Sequence, residues 1–437
     1  MMHLGVSVIG VGSHPAAWKL RDPGAPMWSD VEHYLQVARI AERGLFDVLL
    51  LADVPEVARP DKRPLLSGLE PTLLMAAMAQ ATERLGFIGT VSTTFNEPYN
   101  LARRFASLDH MSGGRMSINA VTTYSPVFAA HFGTRDLPAH EVRYARAAEF
   151  LDVMNKFWDS WEDDAVVADP ETGVFADATK VHQIEHEGEW FAVKGTLPLP
   201  RSPQGRPVIT QAGASEQGRD LAARYAEIVY AAHVTLEDAQ EYARDVKERA
   251  RRYGRPEGLP KVMMGLSPVV GVSAEAARER KARMDTLADR SGDLAELAKR
   301  LGTHPSSLDL DAPLPDHVIK GVRTLETGSQ GMAQSLVDRA LRENLTVREL
   351  LARNEKFLTV VGDAQNVADL MEEWFTAGAA DGFVLNVDLL PSGLDNFVDL
   401  VVPELRRRGL FREAYEGTTL REHFGLPRPE SQYRRVP

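Results

Sequence analysis

The sequence of 437 residues contains no cysteine. Disulfides, thiolate metal sites, iron–sulfur clusters and cysteine nucleophiles are therefore all excluded. Long apolar runs are also missing, since none approaches the roughly 20 residues that a membrane-spanning helix needs. The first residues lack the basic segment of a signal peptide. We therefore expect a cytoplasmic protein that binds no membrane.

Positive charge is scarce, and the formal net charge is -12 at pH 7. Basic residues are concentrated only at Arg406, Arg407 and Arg408. Because a phosphate backbone requires a positive surface, we expect no nucleic-acid partner. The triplet instead suits the last turn of a helix, with Gly409 as its C-cap.

Eight short apolar runs alternate with helical patterns along the chain. Runs this continuously apolar are typical of parallel strands buried on both faces, and the segments between them supply the crossover helices. The pattern predicts an α/β fold, a (β/α)8 TIM barrel formed by residues 1–437 as a single domain. The predicted strands span residues 4–11, 46–52, 85–93, 116–122, 207–212, 227–232, 261–271 and 382–387.

Caps and hydrophobic periodicity predict the helices between these strands. The clearest four span residues 31–43, 72–84, 139–158 and 235–253.

Two stretches are longer than a minimal barrel requires. Residues 160–200 contain an alternating segment from Val181, which predicts a hairpin after strand four. Residues 273–360 form a polar, helix-rich insertion between strands seven and eight. Insertions in the βα loops lie over the mouth of a barrel, so this one is a candidate lid; a solvent-exposed or subunit-contacting segment is the alternative.

Polar residues at the ends of three predicted strands suggest a binding site. Asp53 closes a fully apolar strand, where it either belongs to a site or caps the following turn. Asn119 lies among small and apolar residues, and a buried amide offers both a donor and an acceptor; a satisfied core residue is the alternative. A cluster of hydroxyls at the end of strand three has the same two interpretations. It comprises Thr90, Ser92, Thr93 and Thr94.

Two predicted helix starts are candidate anion sites. His140 and Tyr144 share one helix face because they are four residues apart; a solvated first turn of the helix is the alternative. Ser215 opens a helix after strand five, where backbone N–H groups and the helix dipole bind phosphate; a simple N-cap role is the alternative. His14 follows strand one at the mouth, where it either meets the substrate or occupies a turn.

Two further motifs argue against other chemistries. His182 and His186 have a spacing found in metal pairs, but the surrounding alternation indicates a strand and no third ligand is evident, so no metal is expected. Gly10 and Gly12 lack the third glycine of a dinucleotide-binding motif. A nicotinamide site within this chain is therefore not indicated.

The segment 95–115, which includes Asn96-Glu97-Pro98-Tyr99 and ends in Gly113-Gly114-Arg115, resembles flavin-dependent monooxygenases of the bacterial luciferase-like superfamily. The group in question contains nitrilotriacetate, dibenzothiophene-sulfone and pristinamycin-type monooxygenases. The resemblance covers nearly the whole chain. Its other matching segments are 13–18, 158–165, 200–215 and 393–427.

This resemblance implies the oxygenase component of a two-component system. Reduced FMN would come from a separate NAD(P)H:flavin reductase, and with O2 as co-substrate one oxygen atom would pass to a small organic substrate. The family also implies a homo-oligomer. Rival interpretations are a deazaflavin- or flavin-dependent dehydrogenase on the same barrel and a non-catalytic flavin-binding protein.

The resemblance also assigns residue roles. His140 and His14 are the candidate catalytic residues. Ser117 and Ile118 replace the Gly-Trp that usually precedes Asn119 in the family, so the pocket shape differs there. The expected cofactor-binding residues are Asp53, Thr93 with the adjacent hydroxyls as competitors, Asn119, His140, Tyr144 and Ser215.

Overall fold

The computed structural model describes residues 1–21, 24–54, 67–288, 292–322, 325, 330–352 and 357–433. Eight of its strands pair in parallel, in the order β1-β2-β3-β4-β9-β10-β11-β13, and β13 closes the circle by pairing with β1. The predicted (β/α)8 barrel is therefore confirmed. The strands are β1 (His3–Val8), β2 (Val48–Leu51), β3 (Gly86–Ser92), β4 (Met116–Val121), β5 (Val166–Asp169), β6 (Val174–Ala176), β7 (Ile184–Glu187), β8 (Ala192–Gly195), β9 (Val208–Gln211), β10 (Ile228–Ala231), β11 (Lys261–Val270), β12 (Leu358–Gly362) and β13 (Gly382–Leu385).

Helices pack around the barrel, and none in the described ranges is long and apolar enough to cross a bilayer. Short 3-10 turns lie at Ala17–Lys19, Ala178–Lys180 and Pro305–Ser307, and a π-helical turn at Phe397–Val401. The α-helices are α1 (Val31–Arg43), α2 (Pro71–Gln80), α3 (Pro98–Ser112), α4 (Pro126–His131), α5 (His140–Trp158), α6 (Glu216–Tyr225), α7 (Leu236–Arg252), α8 (Ala274–Leu287), α9 (Asp293–Arg300), α10 (Asp316–Val322), α11 (Gln330–Arg342), α12 (Val347–Ala352), α13 (Ala364–Thr376), α14 (Ser392–Asn396), α15 (Val402–Arg407) and α16 (Leu420–His423).

The helix predicted over residues 72–84 ends earlier than its pattern suggests, at Gln80. Two long side chains from neighbouring elements bind the backbone that would have continued it. Glu42 Oε1 accepts the N–H groups of residues 83–85 at 2.6–3.0 Å. The Arg115 guanidinium donates to the carbonyls of residues 79, 82 and 85 at 2.7–3.1 Å. These tertiary contacts replace helical hydrogen bonds, and local sequence does not encode them.

The loop after β1 explains the Gly-x-Gly motif. Gly10 and Gly12 have φ of 52° and 139°, which L side chains rarely adopt. A Cβ on Gly12 would lie 2.4 Å from the carbonyl oxygen of Asp388. Gly12 therefore lets the loops after β1 and β13 approach closely, and the turn at the two glycines ends the first strand at Val8, earlier than predicted.

The C-terminal segment closes the N-terminal end of the barrel. Leu420, Phe424 and Leu426 pack into the same cluster as the interior strand residues, and Phe424 stacks on His3 at 4.4 Å. Arg421 pairs with the buried Glu227 at the entry to β10, with Nη2 and Oε2 3.1 Å apart. Since this end is sealed, ligands can enter only at the C-terminal ends of the strands.

Extra elements follow β4 and β11. Between β4 and β9 lie the antiparallel pairs β5–β6 and β7–β8, and the second pair corresponds to the predicted hairpin. Between β11 and β13 lie α8 to α12 and β12, and β12 pairs with the second half of β11. Most of these helices bury a core of their own, separate from the barrel. Its members include Leu297, Leu301, Val318, Val337, Val347 and Leu350.

Candidate active site

Asn119 lies on the inner wall of the barrel, on β4, and is 5% exposed. Its Nδ2 donates to Thr90 Oγ1 on β3 at 2.9 Å. Its Oδ1 is buried and has no hydrogen-bond partner among the described residues. A buried acceptor without a donor is costly, so this oxygen suits a ligand that brings an N–H group into the barrel.

The hydroxyl cluster at the end of β3 divides between the barrel interior and the backbone. Thr90 contacts Asn119 inside the barrel, whereas the fully buried Thr93 donates to the carbonyl of Val121 at 3.2 Å. Ser92 Oγ lies 2.6 Å from Thr123 Oγ1. Among the four hydroxyls, Thr90 is thus the one adjacent to the unpartnered amide oxygen, and Thr93 as the flavin contact stays a prediction.

Ser215, His140 and Tyr144 lie together at the N-terminal end of α6 and are called here the rim cluster. Ser215 Oγ accepts the N–H of Gly218 at 3.2 Å and so caps α6. The same oxygen lies 3.4 Å from His140 Nε2, and the rings of His140 and Tyr144 are 4.7 Å apart. The first-turn N–H groups of a helix have no partner within it, so this end suits an anion.

The electrostatics of the rim cluster favour a neutral imidazole. Burial lowers the pKa of His140, the nearby Arg143 lowers it further, and Glu141 opposes both. Arg143 is itself 3% exposed, and its guanidinium donates to the carbonyl of Pro138. Without a ligand His140 is therefore neutral at pH 7, and a phosphate would favour its protonated form.

Asp53 lies just beyond β2, at the open end of the barrel. Burial, followed by the charge of Glu70, raises the pKa of its carboxyl to about 6. The N–H of the next residue, Val54, donates to Ser67 Oγ at 2.9 Å. The alternative role of Asp53 is to cap the following turn. That turn includes Pro55, which lies outside the described residues.

His14 joins the loop after β1 to α8. Its Nδ1 accepts the N–H of Ala16 at 3.1 Å, which places the ring proton on Nε2. That nitrogen lies 3.4 Å from Asp285 Oδ1 on α8. Burial lowers the pKa of His14, and the hydrogen bond and charge of Asp285 oppose the shift. Helix α8 is thus in contact with the mouth at a candidate catalytic residue.

Sequence reasoning missed three polar residues near this end of the barrel. Asn386 follows β13 and contacts Tyr230 on β10, with Nδ2 and the hydroxyl 3.2 Å apart. His233 follows β10, and its buried Nε2 has no partner among the described residues. Burial, then the charge of Arg219, lowers the pKa of His233 to about 4. Asn386 directly follows an apolar strand, and this position in the sequence could have identified it as a candidate site residue.

The two histidines with metal-like spacing contact different glutamates. His182 Nε2 lies 2.8 Å from Glu162, and His186, on β7, lies 3.0 Å from Glu149. The described ranges contain no group of three His, Cys, Asp or Glu residues arranged to hold a metal ion.

Comparison with known proteins identifies the family of this chain. Residues 10–381 match the family model described as luciferase-like monooxygenase. The chain belongs to the luciferase-like monooxygenase family. The resemblance seen in the segment 95–115 and its companions is thereby confirmed, and the chain is a flavin-dependent monooxygenase.

Individual relatives of this luciferase-like monooxygenase cover almost its whole length. It is 40% identical over 434 residues to the N-acetyl-S-(2-succino)cysteine monooxygenase of Bacillus subtilis, covering 98% of both chains. It is 40% identical to nitrilotriacetate monooxygenase component A of Aminobacter aminovorans, covering 98% of this chain and 97% of the relative. The structure of riboflavin lyase (RcaE) with modified FMN and riboflavin matches with a TM-score of 0.84 and 30% identity, covering 97% of this chain and 95% of that one.

Proposed function

We propose that this luciferase-like monooxygenase binds externally supplied reduced FMN and uses O2 to oxygenate a small organic substrate. The observation that carries the proposal is the placement of two complementary features on neighbouring strands. Asn119 on β4 pairs in register with Thr210 on β9, the strand that leads into Ser215. An unpartnered amide oxygen inside the barrel and an anion site at its rim thus belong to adjacent βα units.

The residues fit FMN at both ends of the molecule. The isoalloxazine ring carries an N–H that Asn119 Oδ1 can accept, and the terminal phosphate suits the rim cluster at the start of α6. Asp53 at the end of β2 adds a carboxyl that accepts hydrogen bonds when ionised and can also donate one below about pH 6, where it is protonated. The related riboflavin lyase structure is described as containing modified FMN, which supports this choice of cofactor.

Bound FMN in its reduced form supplies the electrons that activate O2. The chain contributes a barrel wall that excludes water and holds the substrate beside the ring. His140 can exchange a proton near the phosphate end, and His14, with its proton on Nε2, can donate one at the mouth.

We also propose that a separate NAD(P)H:flavin reductase supplies the reduced FMN. Gly12 serves a close contact between the loops after β1 and β13, and the motif lacks the third glycine of a dinucleotide-binding loop. The relative from Aminobacter aminovorans is named as component A, which implies a second component in that system.

Anaerobic titration with FMN tests the proposal. We expect reduced FMN to bind at least tenfold more tightly than oxidised FMN, and oxygenated buffer to reoxidise the bound form more slowly than free reduced FMN. Asn119→Leu should weaken binding of reduced FMN by roughly tenfold, the value of a hydrogen bond whose loss leaves a polar ligand group unpaired. Ser117→Ala, on the same strand and wall, is the matched control and should bind normally.

Each other outcome contradicts part of the proposal. Failure to bind reduced FMN, or reoxidation as fast as in free solution, would exclude the oxygenase mechanism. Tight binding of a deazaflavin in place of FMN would favour the dehydrogenase alternative. Once a substrate is found, incorporation of one ¹⁸O atom from ¹⁸O2 into the product tests the oxygenation itself.

A further inference from the structure

A second unpartnered amide oxygen lies inside the barrel, on Asn386. This residue is 1% exposed, and its Oδ1 is buried without a hydrogen-bond partner among the described residues. Its backbone is held on both sides: the N–H donates to Leu266 on β11 at 2.7 Å, and the carbonyl accepts from Ser13 Oγ at 2.9 Å. The backbone at Asn386 is therefore held between β11 and the loop after β1.

The neighbours of Asn386 determine which way its amide faces. Nδ2 lies 3.4 Å from the carbonyl oxygen of Val384 and 3.2 Å from the Tyr230 hydroxyl. Because a carbonyl can only accept, the nitrogen must face Val384 and Oδ1 must face away from it. Tyr230 uses its oxygen to accept this bond, so its own proton remains to be donated. The pair thus offers one acceptor and one donor side by side.

Gly265 on β11 makes room for this pair. A Cβ at this position would lie 2.9 Å from the Tyr230 hydroxyl and 2.6 Å from Cδ1 of Phe357. A larger residue would therefore displace both rings, whose centres are 6.1 Å apart. The result is a polar pair inside the barrel beside the apolar ring of Phe357.

The two unpartnered amide oxygens lie on opposite walls. In the closed eight-stranded sheet, β4 and β13 are four strands apart in either direction. Under the proposed function the flavin ring is assigned to the wall that carries Asn119. Asn386 and Tyr230 are therefore placed for a second molecule.

The scarcity of positive charge on the barrel wall limits which chemical group of that molecule can bind to Asn386 and Tyr230. The only Lys or Arg residue in the eight barrel strands of the described structure is Lys261, the first residue of β11, at the closed end. An ionised carboxylate would face the Asn386 oxygen with no cation on the wall to compensate it. The group bound there must be uncharged and must carry both a donor and an acceptor.

We propose that Asn386 and Tyr230 form a subsite for an uncharged carboxamide group of the substrate, with Asn386 Oδ1 accepting from its N–H and the Tyr230 hydroxyl donating to its C=O. The inference rests on the proposed oxygenation of a small organic substrate and names the chemical class of one end of that substrate. Burial raises the pKa of Tyr230 well above its usual value, so the hydroxyl keeps its proton at neutral pH.

Three small aromatic probes test the subsite in FMN-free protein. Benzamide carries a donor and an acceptor, N,N-dimethylbenzamide only an acceptor, and benzoate a charge. Ligand-observed NMR titrations should show benzamide binding at least fivefold more tightly than the other two. Asn386→Leu should remove the preference for benzamide over N,N-dimethylbenzamide, because only benzamide carries the N–H that Asn386 accepts. The conservative Tyr230→Phe should weaken binding of both amides by a similar factor, because both carry the C=O to which Tyr230 donates. Asn119→Leu, which changes the opposite wall, is the matched control and should retain the preference for benzamide.

The outcomes separate this inference from the proposed function. Equal binding of the three probes, tightest binding of benzoate, no binding of benzamide, or unchanged affinity for both amides in Tyr230→Phe would each overturn the subsite. Titration of the same proteins with reduced FMN is read independently: Asn386→Leu should bind it as the unaltered chain does. If the unaltered chain does not bind reduced FMN, the proposed function is contradicted. The subsite is still judged from the binding of the three probes.

Discussion

Ser215 Oγ lies 3.4 Å from His140 Nε2, although the two residues are 75 positions apart in the chain. The contact joins the first turn of α6 to the first turn of α5. One hydroxyl therefore has two roles, because it also accepts the N–H of Gly218 as the cap of α6. If this hydroxyl also binds the FMN phosphate as proposed, its removal should change both the stability of the protein and its affinity for FMN.

Ser215→Ala should lower both the stability and the affinity for FMN. Loss of the cap should cost about 1 kcal/mol of unfolding free energy, and loss of the phosphate contact should raise the dissociation constant of reduced FMN about tenfold. Thr235→Ala is the matched control because Thr235 caps α7 through the N–H of Asp238 at 3.3 Å. Denaturant unfolding should show similar losses in both variants, whereas titration should show weaker binding only in Ser215→Ala. Equal affinities in the two variants would remove Ser215 from the phosphate site.

Asp53 should make the folded protein less stable as the pH rises from about 4 to about 6. Its pKa is raised from 3.8 to about 6, so within this window the unfolded carboxyl ionises while the folded one retains its proton. The free energy of unfolding therefore falls between about pH 4 and about pH 6, and the stability lost through Asp53 stays constant at higher pH. Asp53→Asn should have a higher Tm than the unaltered chain at pH 8 and the same Tm near pH 3.

The neighbouring Glu70 provides the control for this titration. Glu70 raises the pKa of Asp53 and caps α2 by accepting the N–H of Leu73 at 2.9 Å. Glu70→Gln keeps an oxygen for the cap but removes the charge. The difference in stability between the protein with Asp53 and the Asp53→Asn variant develops as the pH rises. When both proteins also carry Glu70→Gln, the midpoint of this change should therefore occur at a lower pH. An unchanged midpoint would show that burial alone raises the pKa of Asp53.

Arg421→Met should destabilise the protein without changing its affinity for FMN. The side chain pairs with Glu227 at the closed end, far along the strands from the rim cluster. Burial raises the pKa of Glu227, but the charge and hydrogen bond of Arg421, the charge of Arg206 and the Ile209 N–H together make the net shift downward. Removing Arg421 leaves a buried carboxylate without its ion-pair partner, which should cost about 3–5 kcal/mol in denaturant unfolding.

A second substitution tests this explanation. Combining Glu227→Gln with Arg421→Met removes the unpaired charge, so the double variant should recover part of the lost stability. The recovery should shrink as the pH falls, because Glu227 of the single variant then takes up a proton and loses its charge. A double variant that is less stable than Arg421→Met at pH 7 would show that packing, rather than charge, accounts for the effect.

His14→Gln should lower product formation at least 100-fold if this histidine donates a proton during oxygen transfer. Reduced FMN should still bind with its usual affinity because His14 lies outside the rim cluster and contacts Asp285 on α8. Consumed O2 should then appear as hydrogen peroxide. His304→Gln, at an exposed histidine of the inserted helices, is the control and should remain fully coupled. Normal coupling in His14→Gln would exclude the catalytic role.

The sequence by itself determined the barrel. Its eight apolar runs became the eight parallel strands, because strands this apolar are stable only when both faces of the sheet are buried, one under the helices and the other inside the barrel. Capping residues likewise set the limits of α1, whose predicted and observed ends agree. The start of α6 at Ser215 was also readable, since a hydroxyl cap and its N–H partner lie three residues apart.

Contacts between distant segments were decided by the tertiary structure alone. Helix α2 ends at Gln80 because Glu42 and Arg115 bind the backbone beyond it, and neither lies within the helical pattern. The pairing of Asn386 with Tyr230 across 156 positions left no trace in the local sequence. Periodicity and caps report interactions within a few residues, whereas the closure of the barrel determines which side chains from different strands meet inside it.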